Sequence, residues 1–191
     1  FGGGNQPPVT LFMDGFVDGV AKYNEVHGTA VVALGWDKAT QDGVFTGDFE
    51  DINKGLTTAQ AFIDQGADVI LPVAGQVGEG AARAALDSGT ASIIWVDSDG
   101  YDTLSPDFRP VLLTSVLKNT GSAVVEIVKT SIDDTFDNAP FIGTLENGGV
   151  GIAPFHDLAP RVSAELSAEI DQLRSDIVAG TIVVTSPSTP R

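Results

Sequence analysis

The sequence predicts an α/β fold, a parallel sheet with helices on both faces, from three observations. Short apolar runs recur at residues 29–35 (TAVVALG), 68–74 (DVILPVA), 91–96 (ASIIWV) and 111–117 (VLLTSVL). Each is nearly continuous in its hydrophobicity, as a strand is when both sheet faces are covered. Between them lie segments whose apolar residues fall three and four apart, the period of an amphipathic helix. Alternating strand and helix patterns of this kind close as right-handed βαβ units around a parallel sheet.

The elements follow in order. Pro7 and Pro8 suit the first turn of a helix, where a missing N–H costs nothing. Val9, Phe12, Met13, Phe16 and Val20 continue its apolar stripe to about Asn24. The run 29–35 is a short strand. Asp51 caps a second helix carrying Leu56, Ala59 and Ile63, and Gly66 stops it. Residues 68–74 form a buried strand, and residues 79–87 an alanine-rich helix closed by Gly89. Two further strands lie at 91–96 and 111–117. Asn119 or Thr120 caps a helix with Ala123, Val124, Ile127 and Val128 on one face. The glycine-rich stretch 141–155 (FIGTLENGGVGIAPF) reads as short strands joined by turns. Ser163 caps a long helix with Leu166, Ile170, Leu173 and Ile177 on one stripe, ended by Gly180. Residues 181–185 read as a short strand and 186–191 as a polar tail.

Composition narrows the function. The 191 residues are 42% hydrophobic, enough for a sizeable core, and the net charge is −16 from 10 basic and 26 acidic residues. A field of that sign opposes nucleic acid and anionic membrane as partners. Cysteine is absent, so disulfides, thiolate chemistry and zinc–cysteine sites are excluded. His27 and His156 lie far apart in sequence, which argues against a histidine metal site, and no metal or cofactor is expected. No run approaches the ~20 apolar residues a membrane-spanning helix needs. The opening FGGGN reads as the tail of a strand and its turn, and points to a piece whose N-terminal portion is missing.

The segment 35–55 (GWDKATQDGVFTGDFEDINKG) is a long polar excursion between strand and helix that carries Trp36, Phe45 and Phe49. Structureless loops beyond about 12–15 residues are uncommon in compact domains and are usually functional or disordered. Disordered segments are poor in aromatic residues, which favours function. In parallel α/β sheets ligands bind beyond the carboxyl ends of the strands. That rule gathers this loop, the turn at Gly75, the turn from Asp97 to Asp99, and Lys118 onto one edge.

Each candidate has competing readings. Gly75, Gly78 and Gly80 in AGQVGEG follow a strand and open a helix, with Asp97 ending the next strand. This resembles a dinucleotide fingerprint, but the spacing is G-x-x-G-x-G and the unit does not open the sheet. A tight packing turn is the favoured reading, ahead of a close backbone approach to some other ligand and of a dinucleotide site. Asp97 and Asp99 (VDSD) suit paired acids, capture of a sugar diol, or ordinary turn residues. Lys118 is a cation at a strand end or a solvated lysine. Phe49 and Phe45 are core plugs or a stacking face for a planar ring. Trp36 reads as core or loop packing and His156 as structural. No nucleophile–base pair stands out.

The phrases PPVTLFMDGFVDGV, LGWD, FTGDFEDINKG, IDQGADVILPVAGQVGEGA, VDSD, LLTSVLK and NGGVGIAPFH, taken together and in this order, resemble the basic membrane protein family. These are substrate-binding lipoproteins, the nucleoside-binding components of ABC importers. The phrases cover nearly the whole chain. The resemblance implies a type I periplasmic-binding fold, in which two α/β lobes close on a ligand. Residues 1–118 correspond to the C-terminal ligand-binding lobe and 119–191 to hinge-crossing and return segments, with the N-terminal lobe missing.

Family roles carry over where the motifs match. Phe49 resembles the aromatic that stacks on the nucleobase. Gly75 resembles the glycine whose backbone meets the ligand. Asp97 and Lys118 resemble the acid and base that hold the ribose hydroxyls, with Asp99 a lesser candidate for the acid. The implied protein binds a nucleoside, with a purine favoured, serves an ABC transporter permease, and catalyses nothing. It lies outside the cytoplasm, held to the membrane by a lipid anchor on the missing part. The alternatives are a nucleotide-dependent enzyme with its dinucleotide site at Gly75 and Asp97, and a receptor for another small ligand such as a sugar.

Overall fold

The computed structural model describes residues 1–190. Helix α1 (Pro7–His27) opens the chain and ends at Gly28, whose left-handed backbone closes the last turn. A small antiparallel hairpin, β1 (Trp36–Asp37) and β2 (Asp42–Gly43), follows within the long loop. Helix α2 (Ile52–Ile63) starts as expected at Asp51, whose side chain accepts from the Asn53 amide. Next come β3 (Val69–Ile70), α3 (Val77–Ser88), β4 (Ser92–Asp97), the single turn α4 (Gly100–Thr103) and a 3₁₀ turn (Pro106–Val111). They lead to β5 (Leu112–Lys118), α5 (Thr120–Ile132), β6 (Val150–Ile152), a second 3₁₀ turn (His156–Arg161) and α6 (Ala164–Val178).

The main sheet has the order β3-β4-β5-β6. The first three strands are parallel, as the βαβ rhythm predicts, and β6 returns antiparallel along the edge. Residues 1–3 extend the sheet on its other side. Gly2 bridges in parallel to both Phe45 and Val73. The Phe1 amine donates to the Leu71 carbonyl at 3.2 Å, and the Val73 and Gly3 amides complete that ladder.

Alternate strand residues feed two cores, as the pleat requires. Ile70, Ile93 and Trp95 face α2 and α3, joined by Ala59, Phe62, Val77 and the alanines of α3. Leu71, Val73, Ile94 and Val96 face α1, meeting Val9, Met13, Trp36 and Phe49. Helices therefore cover both sheet faces. Every buried side-chain polar atom among the described residues has a partner.

Four expectations need correction. Residues 29–35 join no strand ladder among the described residues, and Val32 stays 74% exposed. The space a neighbouring strand would fill, between 29–34 and 67–71, is an apolar groove of about 1100 Å³. Residues 29–35 therefore have strand composition without a strand partner. Residues 181–185 also form no strand. They lie against α1, where Lys38 bridges the Asp18 carboxylate and the Thr185 carbonyl, and Ser186 donates to Asp14. The face of α5 predicted to be buried is open, with Val124 60% exposed. Nothing among the described residues covers it. Finally, the glycine-rich stretch yields only one short strand, β6.

Candidate functional site

Strands β4 and β5 end side by side, with Asp97 opposite Leu117. This register sets Lys118 one residue further on, beside Asp97, and their side chains pair at 2.9 Å. The pair remains accessible, with 57% of the Asp97 side chain and 38% of the Lys118 side chain exposed. The Lys118 ammonium also lies 4.8 Å from the centre of the Phe12 ring, a cation–π distance. Asp97 has a φ of 70°, in the left-handed region that non-glycine residues avoid. The backbone is thus bent back at the point where the carboxylate leaves the sheet.

Asp99 is placed differently. One carboxylate oxygen accepts from the Tyr101 amide at 3.1 Å and is reached by the Ser115 hydroxyl at 3.5 Å; the other meets His156 Nε2 at 2.7 Å. Three of its roughly four lone-pair sites are thus met within the protein. Tyr101 stacks on the His156 ring at 4.1 Å, and its hydroxyl donates to Asp157. That bond and partial burial push the Tyr101 phenol above its ordinary range.

Gly75 and Phe49 meet. A Cβ at Gly75 would lie 3.2 Å from the Phe49 carbonyl oxygen and 3.7 Å from its ring, and Gly75 has a φ of 57°. A Cβ at Gly3 would strike the same ring at 2.4 Å. The ring thus packs against the backbones of both glycines. Phe49 and Phe12 both belong to the cluster under β4 and β5. The structure therefore brings Phe49, Gly75, Asp97 and Lys118 to one sheet edge, as the strand-end rule places them.

The other glycines of AGQVGEG serve packing. A Cβ at Gly78 would lie 2.6 Å from the Trp95 ring, and one at Gly80 would lie 2.0 Å from the Ile52 carbonyl oxygen. Gly55 reciprocates, since its Cβ would lie 1.8 Å from the Val77 carbonyl oxygen. Gly80 and Gly55 let α2 and α3 touch backbone to backbone, and Gly78 lets α3 pack on the Trp95 ring.

The long loop is ordered by side chains. The Trp36 indole donates to Asp14 at 2.8 Å and meets the Phe45 ring edge-on, with 5.9 Å between centroids. Gln41 and Ser186 donate to the same buried carboxylate. Nearer the site, Asp48 accepts from the Glu50 and Asp51 amides and from Lys54, and these bonds hold its pKa down at about 2. Trp36 and Phe45 therefore brace the loop that presents Phe49. Among the described residues no cluster of three histidines or carboxylates is placed to hold a metal ion.

Sequence reasoning missed Phe12, Gly3 and Tyr101. Phe12 reads as one more member of the apolar stripe of α1, and only the packing shows that its ring reaches Lys118. Gly3 and Tyr101 carry no motif.

Comparison with known proteins agrees with this architecture. The model of the Bmp family, described as ABC transporter substrate-binding protein PnrA-like, matches residues 1–188. The chain belongs to this family. Basic membrane protein A of Borreliella burgdorferi is 32% identical over 146 residues, 74% of this chain and 41% of that protein. Basic membrane protein A1 of Borrelia garinii subsp. bavariensis is 31% identical over 73% of this chain and 40% of its own length. A solved ABC-transporter solute-binding protein from Aeropyrum pernix K1 superposes with a TM-score of 0.74 at 23% identity, covering 93% of this chain and 54% of that one. A Bacillus halodurans structure titled a transcriptional activator of the comK gene superposes with a TM-score of 0.61 at 18% identity, over 74% of this chain and 47% of its own. The two solved structures show the fold alone, an α/β fold shared with ABC solute-binding proteins. This Bmp-family chain spans about two-fifths of the relatives it matches.

Proposed function

We propose that this chain is the C-terminal ligand-binding lobe, residues 1–118, with hinge-crossing and return segments, residues 119–191, of an extracytoplasmic substrate-binding protein serving an ABC importer. Its ligand is a nucleoside, with a purine favoured, closed between this lobe and an N-terminal lobe, and the protein performs no chemistry of its own. The observation that carries the reading is the accessible Asp97–Lys118 pair at the carboxyl ends of adjacent parallel strands. A ribose cis-diol offers two O–H donors to a carboxylate, and the lysine both donates to sugar oxygens and offsets the acid when closure excludes water. Phe49, packed against Gly3 and Gly75, offers a face of its ring to a base. The apolar groove beside residues 67–71 supports the two-lobe reading, because an extended segment there would continue the ladder that Phe1 makes with Leu71. A lipid anchor belongs to the N-terminal part.

The test is thermal stabilisation of the full-length protein by inosine, adenosine and cytidine against ribose and NAD. Nucleosides raise the melting temperature and NAD does not. Calorimetry then finds Asp97→Ala at least about tenfold weaker for the best nucleoside, roughly 1.4 kcal/mol. Stabilisation by ribose alone would make the protein a sugar receptor, and unchanged affinity in Asp97→Ala would end the ribose assignment.

A further inference from the structure

We infer that His156 is a positioning residue for the ligand turn at 97–99, acting through Asp99. The inference rests on the reading above that Asp97 holds the ligand.

Asp97 sits at the start of a turn with one local backbone bond, from the Ser98 amide to the Val96 carbonyl at 2.9 Å. Four non-glycine residues among those described have positive φ, and Asp97 and His156 are two of them. Strained backbone of this kind persists only where the surroundings over-determine it. The Asp97 side chain has only the exposed Lys118 as its ionic partner, a screened interaction of small value. The following residues supply the restraint. The Gly100 amide donates to Ser115 Oγ at 3.0 Å on β5, and Asp99 gathers the Tyr101 amide, Ser115 and His156. His156 is the one member of this set that comes from the return segment after β6. It therefore links that segment to the turn bearing Asp97.

The ring of His156 has little freedom. It stacks on Tyr101 with planes 12° apart. Tyr101 is in turn fixed by Asp157 at its hydroxyl and by Arg109, whose guanidinium lies 4.3 Å from the ring centre. Without this ring Asp99 keeps the Tyr101 amide and the Ser115 hydroxyl but loses its tie to the return segment, so the turn bearing Asp97 is held less tightly.

Two measurements test this. Hydrogen exchange on the ligand-free chain compares wild type, His156→Ala and His156→Gln. In His156→Ala the Gly100 and Tyr101 amides lose protection by about tenfold, while Ile94 and Val116 in β4 and β5 keep theirs. Inosine affinity of the full-length protein falls about two- to fivefold in His156→Ala and is recovered in His156→Gln, whose amide can still donate to Asp99. Equal loss of protection throughout the sheet would reduce His156 to a general structural residue. Unchanged turn protection in His156→Ala, or no recovery of affinity in His156→Gln, would overturn the inference. Loss of turn protection without any nucleoside binding would leave the positioning role standing and remove the nucleoside reading instead.

Discussion

Phe49 shows how much one ring depends on what lies behind it. Gly3 and Gly75 leave space for it, and Trp36 and Phe45 brace its loop. If the ring stacks on a base, Phe49→Ala lowers nucleoside affinity by about 1–3 kcal/mol, roughly five- to 150-fold, while free ribose is little affected. Equal losses for both ligands in calorimetry would remove the stacking role. Trp36 tests the support beneath. Trp36→Phe keeps the ring in the core but removes the donor to buried Asp14. A loss of about 1–3 kcal/mol in urea unfolding follows. The meeting of Asp97 and Lys118 was legible because adjacent parallel strands end side by side. The engagement of Asp99 with His156 was not, since 57 residues of chain separate them and no local pattern signals the contact.

At the scale of elements, the glycines of α2 and α3 decide a question the sequence left open. As a string AGQVGEG favours a packing turn but also fits a dinucleotide turn. The close approach of Gly80 to the Ile52 carbonyl and of Gly55 to the Val77 carbonyl selects packing. Gly80→Ala accordingly costs at least about 1–3 kcal/mol through overpacking, read as a lower midpoint in chemical denaturation. A neutral Gly80→Ala would contradict the backbone contact. The helices were legible from their periodicity and caps, as Asp51 and Ser163 show by accepting from Asn53 and Leu166. Residues 29–35 and 181–185 misled for one reason. Strand composition is a local property, but a strand exists only where another backbone lies alongside it.

For the whole molecule, the pattern of short apolar runs and amphipathic segments, by itself, determined the α/β class, the helix starts and the sheet edge on which Phe49, Gly75, Asp97 and Lys118 gather. These follow from backbone periodicity and capping, which act over a few residues. Only the tertiary structure decided that β6 runs antiparallel, that 29–35 lines a groove, that the glycines of α3 serve contact with α2, and that His156 reaches Asp99. Each of those depends on which distant segment fills the neighbouring volume, and a sequence pattern carries no record of that.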